Sequence, residues 1–265
     1  TARSGKRVWS SVTIALNIIY FRADTIMLAI FKTQETVGIY GAGYKVLEVL
    51  IAFPAMFAGL LMPLITRAYA DGDHERFTAT LQKGFDFLAM VALPMVAGTF
   101  MLAHPLMRLI AGSGFELSGS VLRILIFATG SIFFGVLFGN TVVAIGRQRK
   151  AIPLYAVVAI GSLVGYGLLI PRYSVWAAAG VTVATELTIT IGSFLIVWSA
   201  TKIRLSLRQF GKTFISAVIM VAVMWVFRGW NLFLTATLGA VTYLAALLAV
   251  GGLNRAMIRD AMQLR

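Results

Sequence analysis

The chain has 265 residues, of which 59% are hydrophobic and only 12% charged, with a mean hydropathy of +0.88. Water-soluble domains carry about 25% charged residues, so a soluble globular class is excluded. The net charge of +13 does not mark a nucleic-acid binder, because Lys and Arg sit at the ends of apolar runs rather than in a basic domain.

The chain opens on Thr1, and residues 1–8 read as a cytoplasmic linker with no signal-peptide pattern. From this opening the chain is expected to be the C-terminal portion of a longer protein. The first apolar run spans 9–31 and carries Thr13, Asn17, Tyr20 and Asp24 at helical spacing, one polar stripe. Arg22 lies roughly 200° from Asp24 around that helix at ~100° per residue, so the two address different neighbours.

The second run, 42–66, contains Tyr44, Lys45 and Glu48 near its start and Pro54 and Pro63 further along. Lys45 and Glu48 are three residues apart and can pair on one face. The other reading of Lys45 is an interfacial anchor whose ammonium snorkels. Together with Arg22, Lys45 can give a cavity a positive lining.

Asp71-Gly72-Asp73 then mimics the paired-acid motif of metal-dependent glycosyltransferases. It reads better as a turn, with Gly72 bending the chain and Asp73 capping a helix from His74. No Ser/His/Asp grouping or phosphate-cradling glycine loop accompanies it, so the chain is not expected to be an enzyme.

Runs at 84–103, containing Pro94, and at 120–145 and 151–171 follow. Gly135/Gly139 and Gly161/Gly165 provide small-xxx-small spacings for close helix approach. The sixth run, 174–200, repeats the polar-stripe design with Thr182, Glu186, Thr190 and Ser193. Asp24 and Glu186 have two readings: hydrogen bonds that knit helices together, or a site for a proton, a sodium ion or a substrate headgroup. A linker at 201–210, runs at 211–229 and 231–252 and a cytoplasmic tail at 253–265 complete the chain.

Each run is long enough, at ~1.5 Å per residue, to cross a hydrocarbon layer of ~30 Å. The expected fold is an all-α integral membrane protein with about eight transmembrane helices. With Thr1 inside, the inner segments hold Arg3, Lys6, Arg7, Arg67, Arg76, Lys83, Arg147, Arg149, Lys150, Lys202, Arg204, Arg208, Lys212, Arg255, Arg259 and Arg265. The outer segments hold Lys32, Arg108, Arg123, Arg172 and Arg228. This bias places both ends of the chain in the cytoplasm. There is no cysteine, and the two histidines, His74 and His104, fall outside the apolar runs and read as loop residues. No metal centre and no cofactor are expected.

The segment FRADTIMLAIFKTQETVGIYGAGYKVLE (21–48) resembles the start of the second bundle in bacterial oligosaccharide and O-antigen flippases. These belong to the multidrug/oligosaccharidyl-lipid/polysaccharide exporter superfamily. The matching positions are Arg22, Asp24, Met27, Leu28, Val37, Gly38, Tyr40, Ala42, Tyr44 and Lys45. LMPLITRAYADGD (61–73), AIGRQRKA (144–151) and LLIPRYSVWAAAGVTVATEL (168–187) follow in the family's order. Ser174 departs from the pattern, where glycine is common.

The resemblance implies that 9–200 is the second six-helix bundle of a MATE-like flippase and 211–252 two additional helices. It also implies movement of undecaprenyl-pyrophosphate-linked oligosaccharide across the bacterial inner membrane for O-antigen and other polysaccharide synthesis. Membrane lipids and other polysaccharide-assembly proteins would then be partners. The candidate substrate-cavity residues are Arg22, Asp24, Lys45, Glu48 and Glu186; those for ion coupling are Asp24 and Glu186. The alternatives are a cation-coupled multidrug exporter, a peptidoglycan-precursor flippase of the same superfamily, or a non-transporting scaffold for polysaccharide assembly.

Overall fold

The computed structural model describes residues 22–252, and these are almost entirely helical. Helix α1 is described over residues 22–31. It is followed by α2 (Gln34–Ala70), α3 (His74–Ala111), a 3₁₀ turn (Ser113–Phe115), α4 (Glu116–Ala144), α5 (Gln148–Thr201), α6 (Arg208–Val226) and α7 (Leu232–Ala249). Thr13, Asn17 and Tyr20 of the first polar stripe lie outside the described residues, as do the basic residues of the two ends.

Among the described residues, six helices are long and apolar enough to cross a membrane. The protein is a multi-pass membrane protein. The helices extend beyond the apolar runs because polar residues near their ends continue the helix and cap it. Thr33 accepts from the Thr36 amide at 3.4 Å at the start of α2. Asp73 caps α3, its Oδ1 accepting from the Arg76 amide at 2.9 Å, and Gly72 makes the preceding bend at φ +71°. The Asp-Gly-Asp segment is thus a turn and a helix cap.

Helix α5 merges two predicted runs. Its 54 residues would extend ~80 Å if straight, far beyond a hydrocarbon layer of ~30 Å. The backbone breaks at Ser174, with φ 53° and ψ −132°, and the helix doubles back into a hairpin. Side chains equidistant from the break meet: Leu154 against Gly192 and Val181 against Gly165, and the Tyr166 and Thr182 hydroxyls at 3.1 Å. At the turn, Lys32 donates to the Pro171 carbonyl at 3.0 Å.

The Ser174 conformation belongs to glycine, because a Cβ crowds the backbone at such a positive φ. Ser174→Gly is therefore expected to stabilise the protein by about 1 kcal/mol, and Ser174→Val to destabilise it. Thermal unfolding of the full-length protein in detergent would show the order Gly > Ser > Val. A parent protein at least as stable as the Ser174→Gly variant would contradict the strain.

Two apolar layers hold the bundle together. One, towards the Arg67/Lys202 end, packs Phe77, Leu81 and Leu88 of α3 against Phe133 and Leu137 of α4 and Val197 of α5. The other packs Leu28 of α1, Tyr40 and Leu47 of α2, and Leu125 of α4 against Ile170 and Val175 beside the hairpin turn. Helices α6 and α7 pack on each other and reach the bundle chiefly through α3. Met220, Met224, Tyr243 and Leu247 meet Met90, Leu93 and Met101 there, and the Tyr243 hydroxyl donates to the Met90 carbonyl at 2.7 Å.

Candidate functional site

The candidate site residues named from the sequence fall into two groups with different surroundings. Asp24 is buried, 3% exposed, where α1, α2 and both limbs of the α5 hairpin converge. Tyr40, itself fully buried, donates its hydroxyl to Asp24 Oδ2 at 2.6 Å. The Thr182 hydroxyl lies 3.4 Å from the same oxygen and 3.3 Å from Tyr40 Oη. Tyr166 reaches Thr182 from the other limb. The second carboxylate oxygen accepts from the Thr25 amide at 2.6 Å and the Thr25 hydroxyl at 3.2 Å.

The depth of this network follows from helix geometry. Asp24 lies seven residues before the end of α1 and Thr182 eight residues past the hairpin turn, each ~10–12 Å from that end of the bundle at ~1.5 Å per residue. The network belongs to the interior of the bundle, away from its ends.

Glu186 lies one helical turn past Thr182. Asp24, Glu186, Tyr44, Ser162, Tyr166, Thr182 and Thr185 line a cavity of about 20 Å³. A water needs ~10–15 Å³ of such space and two to four polar partners, and both conditions are met. The cavity takes a water or a small ion and is far too small for a sugar. The two ion-coupling candidates are thus brought to one cavity, although 162 positions separate them in the chain.

Arg22 and Lys45 form the second group. Arg22 pairs with Glu48 of α2, and its guanidinium lies 5.7 Å from the centroid of the Tyr44 ring. Lys45 reaches Glu48 Oε2 at 3.2 Å, as the spacing of three predicts. The Arg22 side chain is 44% exposed, Lys45 75% and Glu48 26%. The trio has one surplus positive charge. Arg22 and Asp24 do not pair, in keeping with their angular separation.

The polar stripe of the sixth run turns inward as its period requires. Thr182, Thr190 and Ser193 are buried, and Thr190 donates to the Ser131 carbonyl of α4 at 2.8 Å. Gly135 makes room for this contact, since a Cβ there would lie 2.7 Å from Thr190 Oγ1. Sequence reasoning missed Tyr166 as a site residue: a lone tyrosine in an apolar run carries no signal. Tyr40 and Tyr44 had one, because their spacing of four places two hydroxyl-bearing rings on one helix face.

The MatE family profile matches residues 10–170. The chain belongs to the MatE family. Among curated proteins it is 22% identical over 223 residues to a probable low-salt glycan biosynthesis flippase, Agl15, of Haloferax volcanii, covering 83% of this chain and 47% of that protein. It is 26% identical over 162 residues to the capsular polysaccharide biosynthesis protein CapF of Staphylococcus aureus, covering 61% of this chain and 39% of that one.

The fold is that of the lipid II flippase MurJ in its inward closed conformation, with a TM-score of 0.75 at 15% identity, covering 91% of this chain and 51% of that one. The chain spans less than half the length of the curated relatives it matches and about half of MurJ.

Proposed function

We propose that this chain is the C-terminal part of a flippase that moves undecaprenyl-pyrophosphate-linked oligosaccharide across the bacterial inner membrane for polysaccharide synthesis. In this reading residues up to about 200 form the second six-helix bundle, and α6 and α7 are additional helices. Membership of the MatE family supports it, as do two relatives named for glycan flipping and capsular polysaccharide synthesis.

One observation carries the reading: Arg22 joins Lys45 and Glu48 in a positive, partly exposed trio part-way along α2, a helix long and apolar enough to cross a membrane. An ionised side chain facing acyl tails at the bilayer centre costs ~2.5–3.5 kcal/mol on insertion scales. The trio therefore faces protein or water, and the half of the relatives' length that this chain does not span supplies the opposing wall. A positive wall suits a pyrophosphate, and the guanidinium fork of Arg22 matches its oxygens. A multidrug exporter for cationic drugs would favour a negative lining.

The small Asp24–Glu186 cavity serves ion coupling, taking a proton or a sodium ion while the two bundles rock about the substrate path. Charge bias puts the Arg67/Lys202 end in the cytoplasm.

The test is reconstitution of the full-length protein in liposomes containing a fluorescent undecaprenyl-pyrophosphate oligosaccharide, read by access of an outside quencher or enzyme. Translocation is expected to require protein and to accelerate with an imposed ion gradient. A scaffold would move no lipid-linked sugar, and a peptidoglycan-precursor flippase would move only the precursor.

A further inference from the structure

Between α5 and α6 the chain is irregular over residues 202–207, at the same end of the bundle as Arg67 and Arg147. A cavity of about 670 Å³ lies beneath it, walled by Phe134, Phe138, Phe194, Trp198 and Phe210, with Arg204 at its edge. That is within the ~300–1,000 Å³ of ligand pockets. The walls are braced ring against ring, Phe85 on Phe134 and Phe138 on Phe194, each pair at 5.1 Å. An aromatic, apolar cleft open at the headgroup level is shaped for an acyl chain rather than for water.

The rim has the opposite chemistry. Lys202, Arg204 and Arg208 are exposed, and among the described residues none of them makes an ion pair. Lys202 Nζ lies 5.1 Å from the Trp198 ring centroid, which holds it over the cavity wall. The nearby acid, Asp86, accepts from the Gln82 amide at 2.8 Å.

The linker is also held in place. Gln82 donates to the Ser206 carbonyl at 3.0 Å and accepts from the Ser206 amide at 2.8 Å, and Ile203 is buried in the bundle. The linker backbone that carries Lys202 and Arg204 is thereby held beside the cleft before anything binds, which lowers the ordering cost of binding.

We infer that this cleft binds an anionic phospholipid of the surrounding membrane, one acyl chain among the phenylalanines and the phosphate among Lys202, Arg204 and Arg208. Basic pockets between helices at the cytoplasmic surface select anionic headgroups, whereas a zwitterionic lipid leaves the surplus charge unanswered. The bound lipid bridges the α5 hairpin to α6 and so fastens the α6–α7 pair to the bundle at this end. The site is remote from the Arg22 trio and stands whether or not the transport reading holds.

Native mass spectrometry and thermal unfolding of the full-length protein test it, with phosphatidylglycerol and phosphatidylcholine as the lipids. Phosphatidylglycerol is expected to remain bound through detergent removal and to raise Tm by several degrees; phosphatidylcholine does neither. The triple variant K202Q/R204Q/R208Q is expected to weaken phosphatidylglycerol retention at least tenfold. The matched triple R67Q/R76Q/K83Q, at the same end of the bundle, should leave it unchanged.

Should the first triple variant not accumulate, Arg204→Gln alone serves, with a severalfold loss expected. Leu195→Trp, which fills the cleft and leaves every cation in place, is expected to abolish retention. Equal stabilisation by both lipids, equal loss in the two triple variants, or displacement of the retained lipid by undecaprenyl pyrophosphate at equimolar concentration would overturn the assignment.

Discussion

Arg22→Ala in the full-length protein should cut lipid-linked oligosaccharide translocation by roughly a hundredfold, the scale expected when a charged partner is removed from a desolvated ion contact. The fold should survive. Arg22 is half-exposed and its contact with Glu48 lies at the bundle surface, where ion pairs contribute only ~0–1 kcal/mol. Glu48 keeps Lys45 as a partner at 3.2 Å.

What changes is the sign of the surface: one surplus positive charge becomes none. Arg22→Lys restores the charge without the fork and should recover part of the rate. Glu48→Gln releases both cations and should tighten pyrophosphate binding. The checks are protein level in the membrane by immunoblot alongside the liposome assay. Undiminished movement with Arg22→Ala would remove Arg22 from the substrate path.

Asp24 separates structure from coupling through two substitutions. Asp24→Ala takes the 2.6 Å acceptor from the fully buried Tyr40 hydroxyl, leaving it the longer 3.3 Å contact with Thr182, which itself keeps the Ala178 carbonyl. Removing one partner of a buried hydrogen bond costs ~1–3 kcal/mol, and a loss in that range is expected, seen as a lower Tm and poorer accumulation. Asp24→Asn keeps one acceptor oxygen, and the Tyr40 hydroxyl can turn to accept from the new amide while donating to Thr182, 3.3 Å away.

This second variant is expected to fold within ~1 kcal/mol of the parent but to lose the acceleration of transport by an ion gradient. Glu186→Gln, at the other wall of the cavity, should lose the same acceleration. If Asp24→Asn still responds to the gradient as the parent does, the carboxylate only binds helices together.

The all-helical class could be read directly from the residues. Lipid cannot satisfy backbone polar groups, so a long apolar run has helix as its one solution. The runs at 42–66 and 84–103 lie inside observed helices, and 120–145 ends on the C-cap of α4. Local chemistry was equally legible. Asp73 caps α3 because its side chain reaches its own backbone three residues on, a contact that depends on nothing distant. The Lys45–Glu48 pair is a second contact of that kind. Ser174 showed only as a missing glycine; its left-handed backbone and the hairpin it turns emerged with the fold.

The sequence by itself determined that this protein lies in a membrane as helices, and that Asp24 and Glu186 are costly to bury and must turn inward. Only the tertiary structure decided what they turn towards. It gave Asp24 the hydroxyls of Tyr40 and Thr182, gave Arg22 the carboxylate of Glu48, and put both acids on one cavity. The physical reason is that helical period fixes the face on which a side chain lies. Which neighbour fills that face depends on the rotation and depth at which separate helices pack, and no spacing along one helix encodes that.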